Sequence, residues 1–199
     1  ILNRVKFRTC LWISAACPQF AGPSAGLPMD LAALGVSKNN SGRKAGREGL
    51  EWCAPRRGTW KVNVDGSSFG NPGNAGIGGV LRDDMGEILL LVSESVGNLD
   101  AVGAEVCALA RTCSVILVEQ GFPLPRIIVE CDNKNVISWT REPETIPWRF
   151  KSMFSPVLNL VYHASGVVFN HIFRERNTMA DWLAKRGASN LDEGFVVWF

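Results

Sequence analysis

The feature that most constrains the fold is a change of hydrophobic period near Gly97. Before that glycine, apolar and polar residues alternate over 61–65, which is the period of a half-buried strand, and the segments 77–82 and 87–96 are interpreted as a second and a third strand. A glycine-rich stretch over 66–76 joins the first two, and Asp83-Asp84-Met85-Gly86 has the composition of a turn. Two such tight connections predict an antiparallel meander of three strands.

Beyond Gly97 the sequence predicts helices that alternate with two further strands. Apolar residues recur every three or four positions and predict a helix from about Ala101 to Gln120, ended by Gly121 and Pro123. The remaining predicted elements are a buried parallel strand over 126–131, a helix up to Pro143, a helix over 148–163 that is weak at Pro156, a strand over 167–173 and a helix over 177–188. The order β-β-β-α-β-α-α-β-α predicts an α/β fold: a five-stranded mixed sheet, three strands antiparallel and two parallel, with strand one central and helices on both faces.

The charge distribution divides the 199-residue chain. Residues 1–57 carry a net charge of +6 and residues 58–199 a net charge of −4. We therefore predict a basic, poorly ordered arm over 1–57, in which 1–50 lack packed contacts, a domain over 58–190 and a C-terminal tail over 191–199.

Composition excludes several classes of protein. With 46% hydrophobic and 20% charged residues, the chain is neither disordered nor collagen-like. Its six cysteines are scattered without a CxxC pair, which argues against a zinc site and favours reduced thiols in an intracellular protein. No apolar run is expected to reach the length of about 18 residues that a membrane-spanning helix needs.

Four acidic residues on four different predicted elements are the candidates for chemistry. Asp65, Glu105, Asp132 and Asp181 each adjoin apolar residues, where a carboxylate is costly unless it is paired or binds a metal. Taken singly, Glu105 and Asp132 also fit as charges that stabilise helix N-termini. Taken together, the four predict a cluster above one end of the sheet that would hold a hard cation such as Mg²⁺.

The glycine-rich segment does not have the pattern of a nucleotide-binding loop. It matches neither GxGxxG nor a Walker motif, and it joins two strands instead of preceding a helix. A bulged hairpin, open enough for a nucleic-acid backbone to approach, is compatible with it.

Four motifs, in order, resemble those of the type 1 ribonuclease H family. They are Val64-Asp65-Gly66-Ser67-Ser68-Phe69-Gly70-Asn71-Pro72-Gly73, Ala104-Glu105-Val106-Cys107-Ala108-Leu109, Val129-Glu130-Cys131-Asp132-Asn133-Lys134-Asn135-Val136 and Arg174-Glu175-Arg176-Asn177-Thr178-Met179-Ala180-Asp181-Trp182-Leu183-Ala184-Lys185. Over 60–190 the sequence is most similar to plant ribonuclease H-like domains derived from non-LTR retrotransposons.

The resemblance implies a metal-dependent endonuclease that cleaves the RNA strand of an RNA–DNA hybrid. By that resemblance, Asp65, Glu105, Asp132 and Asp181 would be catalytic residues that bind two Mg²⁺ ions, or Mn²⁺ in their place. Residues at the family's RNA-facing positions are Ser68, Asn71 and Lys134. We expect a monomer with no small-molecule cofactor and no membrane partner.

Three departures from the family pattern keep an alternative open. The residues before Glu105 are Ala101-Val102-Gly103-Ala104, where many members of the family have an Asn-rich segment. No basic protrusion is evident near Arg141, and the glycine- and histidine-bearing loop before Asp181 is missing. His171 is therefore expected to make a structural hydrogen bond. The alternative function is a domesticated, weakly active or inactive nucleic-acid-binding module of the same fold.

Overall fold

The structure is a computed structural model that describes residues 52–119, 123–189 and 195–198. The predicted helix cap at Gly121 and the part of the predicted arm over 1–51 lie outside the described residues. The described strands and α-helices are β1 (Thr59–Gly70), β2 (Gly73–Arg82), β3 (Ile88–Leu99), α1 (Ala101–Glu119), β4 (Arg126–Cys131), α2 (Lys134–Arg141), α3 (Ser155–His163), β5 (Val167–His171), α4 (Thr178–Ser189) and β6 (Phe195–Trp198).

The strands form one mixed sheet in the order β5-β4-β1-β2-β3-β6. Strand β1 pairs antiparallel with β2 and parallel with β4, so it lies inside the sheet, while β2–β3 is antiparallel and β4–β5 parallel. The predicted five-stranded mixed sheet, with strand one at its centre, is confirmed.

A sixth strand, β6, lies in the segment predicted as a C-terminal tail, and the prediction needs correcting there. It pairs antiparallel with β3, from Ser93 opposite Phe195 to Leu90 opposite Trp198. The sequence Phe-Val-Val-Trp has high β propensity, and the edge of β3 offers unpaired backbone groups. Residues 191–194 and Phe199 lie outside the described part of the chain.

The glycine-rich segment predicted between the first two strands is mostly part of the strands themselves. The pairing of β1 with β2 continues without interruption from Lys61 opposite Arg82 to Gly70 opposite Gly73. The prediction that residues 66–76 lie between the two strands is therefore wrong, because most of these small residues pair as strand and only the hairpin turn after Gly70 separates β1 from β2.

The predicted helix over 148–163 is two elements. Residues Trp148–Phe154 form 3₁₀ turns, and α3 begins at Ser155. Pro156 occupies the first turn of α3, where its missing N–H leaves no hydrogen bond unmade.

Helices cover both faces of the sheet, as predicted. A Cβ at Gly66 would lie 2.2 Å from the Ala104 carbonyl carbon of α1, whereas one at Gly78 would lie 2.1 Å from the Ala180 carbonyl oxygen of α4. Gly78 pairs with Asp65, so these two positions face the same side of the sheet. Gly66, the next residue along β1, faces the other side, and the two helices therefore lie on opposite faces.

Helix α1 contradicts the expectation that no apolar run reaches a length of about 18 residues. An 18-residue window within Ala101–Glu119 has a mean hydropathy of 1.7, enough by length and composition alone to cross a membrane. Its apolar residues Val106, Leu109, Cys113 and Ile116 are buried in the core cluster with residues of the sheet. This packing explains the apolar character of α1.

Packed contacts begin at Trp52, before the predicted domain boundary at 58. The Trp52 indole N–H donates to Asn63 Oδ1 at 2.9 Å, and its ring lies 4.5 Å from the Arg82 guanidinium carbon. The Lys61 ammonium donates to the Cys53 carbonyl oxygen at 2.8 Å. Residues just upstream of β1 therefore cover polar side chains of the sheet.

Candidate functional site

Asp65 is a buried carboxyl group near the C-terminal half of β1. Its exposed fraction is 4%, and its side chain lies on the sheet face that α4 covers. Burial, the charges of Glu105, Asp132 and Asp181, and a hydrogen bond with the Asp132 side chain together raise the pKa of Asp65 to about 9. The other three predicted acidic residues therefore lie close enough to Asp65 to act on its ionisation.

Glu105 lies in the second turn of α1 and is held against β1. Its Oε2 accepts a hydrogen bond from the Gly66 N–H at 3.2 Å, and the Cys131 thiol lies 3.7 Å from the same oxygen. Gly66 makes this approach possible, since any side chain there would collide with the backbone of α1. Burial and the charge of Asp132 raise the pKa of Glu105 to about 8, despite these donors.

Asp132 follows β4 directly, at the sheet end where parallel strands present ligands. Its Oδ1 is buried and has no hydrogen-bond partner among the described residues. Ligand atoms of Glu105, Cys131 and Asp132 all lie within 4.8 Å of one another. The Asp132 carbonyl oxygen lies 3.1 Å from His171 Nε2, which confirms the structural hydrogen bond expected of that histidine.

Asp181, in the first turn of α4, is engaged by two cations. Its Oδ1 accepts from Arg174 Nη2 and its Oδ2 from Lys185 Nζ, each at 2.6 Å. Both oxygens of the fourth predicted ligand are thus in ion pairs. The spacing of four residues between Asp181 and Lys185 is the sequence signal for the second pair, while nothing in the sequence predicted that with Arg174.

The donor set fits a hard divalent cation. Carboxylate oxygens are the preferred ligands of such ions, and the orphaned Asp132 Oδ1 is a buried acceptor without a donor. The raised pKa values of Asp65 and Glu105 show like charges crowded into a buried space, a cost that a bound cation would remove.

The three predicted nucleic-acid contacts lie on two different elements. The Ser68 hydroxyl is 2.8 Å from the Gly70 carbonyl oxygen and 2.7 Å from that of Leu99, so it ties the β1–β2 hairpin to the end of β3. Asn71 is exposed in the turn of that hairpin, and Lys134 is exposed at the first position of α2. Their contacts with substrate remain predictions.

Asn177 is a residue of the site that sequence reasoning missed. Its side-chain nitrogen donates to Asp65 Oδ1 at 3.2 Å and to the Val64 carbonyl oxygen at 2.9 Å. Asparagine is a common N-cap residue, so its position just before a helix did not indicate that its side chain binds a distant strand.

Comparison with known proteins gives matches over the domain. A family described as reverse transcriptase-like matches residues 63–187. A candidate ribonuclease H protein of Arabidopsis thaliana is 30% identical over 146 residues, which are 73% of this chain and 23% of the relative. The chain thus spans about a quarter of the length of that curated relative.

Solved structures match the same region. Ribonuclease H1 from Halobacterium salinarum NRC-1 is 25% identical, with a TM-score of 0.60 over 66% of this chain and 98% of that one. A ribonuclease H1 isolated from compost by a metagenomic approach is 27% identical, with a TM-score of 0.60 over 66% of this chain and 96% of its own. The compost enzyme has also been crystallised in complex with an RNA/DNA hybrid; that structure is 25% identical, with a TM-score of 0.58 over 65% of this chain and 96% of its own.

Proposed function

Because this chain belongs to the reverse transcriptase-like family and has the fold of type 1 ribonuclease H, we propose that it hydrolyses the RNA strand of RNA–DNA hybrids. The observation that carries the proposal is the convergence of three half-buried carboxyl groups on the buried Asp65. Burial raises the pKa of Asp65, the charges of three other acidic residues raise it further, and one of these, Asp132, has a buried oxygen without a donor among the described residues. Such a cluster is costly to a folded protein and useful to a metal-dependent hydrolase.

Asp65, Glu105 and Asp132 would hold the metal, with Asp181 as the fourth acidic residue of the set. Two Mg²⁺ ions, or Mn²⁺ in their place, would lower the pKa of an attacking water and stabilise the leaving 3′ oxygen of an in-line displacement. The protein contributes the placement of the ligands: the Gly66 N–H fixes Glu105, and the parallel pairing of β1 with β4 brings Asp132 beside Asp65.

Substrate recognition would come from the surface around the β1–β2 hairpin and the start of α2. Asn71 and Lys134 are exposed there and would contact the minor groove of the hybrid, in which the RNA strand presents its 2′-hydroxyl groups. Ser68 would support the hairpin conformation through its contacts with backbone carbonyls. Lys and Arg side chains near α4 would bind phosphates and set orientation.

The test compares cleavage of an RNA–DNA hybrid, duplex RNA and duplex DNA of one sequence, with Mg²⁺, Mn²⁺ and EDTA. We expect metal-dependent cleavage of the RNA strand of the hybrid. Asp132→Asn keeps the shape of the side chain and removes its charge. Cleavage should therefore fall by more than about 100-fold, which exceeds the loss typical when a residue hydrogen-bonded to a metal ligand is removed. Hybrid binding should persist or tighten, because repulsion of phosphate decreases.

The matched control is Glu144→Gln, which removes a charge from an exposed residue in the short 3₁₀ segment after α2. This variant should cleave at the wild-type rate. Cleavage by Asp132→Asn at the wild-type rate would exclude the proposed mechanism on these residues.

A nucleic-acid-binding module without hydrolase activity is the second candidate. The observation in its favour is that both carboxylate oxygens of Asp181 are occupied by Arg174 and Lys185. On this alternative the wild-type chain binds the hybrid without metal-dependent cleavage, and Asp132→Asn changes affinity alone. The cleavage assay therefore decides between the two candidates.

A retroelement origin belongs to the same proposal. The family description is reverse transcriptase-like, and the curated relative is several times longer than the matched region. We propose that the domain derives from the ribonuclease H part of a longer retroelement protein. Reverse transcriptase sequence encoded upstream of this domain at its locus, or at that of a near-identical copy, would support this origin.

A further inference from the structure

Asn177 connects two of the acidic residues through different parts of its structure. Its side-chain nitrogen donates to Asp65 Oδ1 at 3.2 Å, while its backbone carbonyl accepts from the Asp181 N–H at 3.0 Å. The residue is 1% exposed, so its carboxamide is fixed inside the protein between β1 and the start of α4. One residue thus sets the position of a carboxyl group on the strand relative to the helix that carries another.

We propose that Asn177 is a positioning residue that orients the Asp65 carboxylate for metal binding. The inference rests on the proposed function and deepens it. The terminal torsion of an Asp side chain is broad, so a carboxylate without a fixed donor can present either oxygen in many directions. The Asn177 amide nitrogen donates a hydrogen bond to Asp65 Oδ1. This bond fixes the carboxylate plane and thereby the direction of the other Asp65 oxygen relative to Glu105 and Asp132.

The geometry of the Asn177 carboxamide differs from that of a helix cap. A capping asparagine accepts backbone N–H groups with its side-chain oxygen, whereas among the described residues no donor reaches Asn177 Oδ1. The side chain uses its nitrogen instead, for the Val64 carbonyl and the Asp65 carboxyl group. A buried carbonyl oxygen without a partner is a cost that helix stability alone does not explain.

The docking of α4 does not depend on the Asn177 side chain. Gly76 and Gly78 of β2 allow the backbone of α4 to lie directly on the sheet, and Ser93 Oγ donates to the Leu183 carbonyl oxygen at 2.9 Å. Removal of the carboxamide should therefore leave the helix in place and release the Asp65 carboxylate together with the Val64 carbonyl oxygen. This separation makes the inference testable in a folded protein.

The test measures Mn²⁺ binding by titration calorimetry for the full chain and for two variants without a donor. Asn177→Ala removes the carboxamide, and Asn177→Leu removes it while keeping the branched shape of the side chain, so that it serves as the second variant if a cavity destabilises the alanine variant. Loss of a hydrogen bond to a metal-binding side chain typically costs 10–100-fold in affinity, and we expect the Mn²⁺ dissociation constant to rise by about that factor.

Kinetics on the hybrid provide the second readout. Hybrid affinity in EDTA and KM should stay at the wild-type values, while kcat falls, because the change acts on the metal site and not on the substrate surface. Asn159→Ala is the matched control, since Asn159 is exposed on α3. It should leave Mn²⁺ affinity, KM and kcat unchanged.

Wild-type Mn²⁺ affinity in a folded Asn177→Ala or Asn177→Leu variant would overturn the inference. Failure of the proposed function gives a different result: a wild-type chain that binds Mn²⁺ without cleaving the hybrid. In that case the Mn²⁺ titrations of the variants still decide whether Asn177 orients Asp65.

Discussion

At the scale of single residues, burial and crowding work against the ionisation of the acidic site. Burial is the largest cause of the raised pKa of both Asp65 and Glu105, and repulsion from neighbouring carboxylates adds to it. These groups lower the stability of the metal-free protein whenever they are charged. A fold that keeps them gains nothing in stability from them, which supports the metal-binding role proposed for them.

The pH dependence of stability follows from these shifts. The pKa of Asp65 rises from 3.8 to about 9 on folding and that of Glu105 from 4.5 to about 8. Between the unfolded and folded values the folded protein binds more protons, so the free energy of unfolding must fall as pH rises. We expect urea unfolding in EDTA to show a decline between pH 5 and pH 9.

Two additions sharpen this experiment. The double variant Asp65→Asn with Glu105→Gln should lose most of the decline, because it removes both titrating groups. Mg²⁺ should stabilise the wild-type protein more at pH 8.5 than at pH 6, since binding requires deprotonated carboxylates. A wild-type profile in EDTA as flat as that of the double variant would contradict the prediction.

The sequence predicted which residues form the cluster better than it predicted what holds them. Asp65, Glu105 and Asp132 were visible because each adjoins apolar residues at a strand end or a helix start. Their partners were not, because Asn177 reaches Asp65 across more than one hundred residues of chain. Contacts of that separation depend on helix placement, which periodicity does not specify. The metal-binding roles themselves remain predictions.

At the scale of secondary-structure elements, glycines of β2 determine how closely α4 approaches the sheet. A Cβ at Gly76 would lie 2.0 Å from the Ala188 nitrogen, and one at Gly78 would lie 2.1 Å from the Ala180 carbonyl oxygen. Both obstacles are backbone atoms, which cannot move unless the helix moves. The short distance between α4 and β2 is what places the start of α4 beside Asp65.

Gly78→Ala should therefore push α4 away from β2 and destabilise the protein. We expect a loss of about 3 kcal/mol in the free energy of unfolding, in the upper range for overpacking a core. Chemical denaturation measures the loss, and weaker Mn²⁺ binding would report the displaced helix. Gly97→Ala is the control: it has a φ of +78° but free space around it, so it should cost only about 1 kcal/mol of backbone strain. Equal losses in the two variants would contradict the packing argument.

Hydrophobic period predicted the type and order of the elements and failed at their ends. The helix over 101–120 and the strand over 126–131 were predicted within one residue because strong periodicity or a turn residue bounds them. The end of β1 and the start of β2 were missed, since glycines usually indicate a loop and only the pairing with a neighbour makes them strand. Strand β6 was missed because four residues carry too little pattern.

At the scale of the whole molecule, residues before β1 complete the sheet face that α4 leaves uncovered. Trp52 covers a buried polar layer of Lys61, Asn63, Arg82 and Glu130. Within the layer, Lys61 and Asn63 both reach the Glu130 carboxylate at 3.0 Å. Burial lowers the pKa of Arg82 to about 10. Because burying these polar groups away from water costs free energy, the stability of the layer depends on the hydrogen bonds and ion pairs within it.

The position of an N-terminal truncation should therefore matter greatly. A chain that begins at residue 51 keeps Trp52 and should unfold close to the temperature of the full chain. A chain that begins at residue 58 loses the indole and the Cys53 carbonyl, and should lose about 2–4 kcal/mol, as for truncation of a large packed side chain. Thermal and urea unfolding of the two chains test this, with Trp52→Ala expected to reproduce most of the loss. Equal stability of the two truncated chains would contradict it.

The central position of β1 also determines when the site can exist during folding. Its pairing with β2 closes a hairpin of neighbouring residues, whereas its pairing with β4 joins Thr59 to Arg126. The first pairing is local and fast to form, and the second must close a long loop at an entropic cost. Asp65 comes from the early partner and Asp132 from the late one. A nascent or partly folded chain therefore lacks the assembled acidic cluster, and formation of that cluster reports that β1 and β4 have joined.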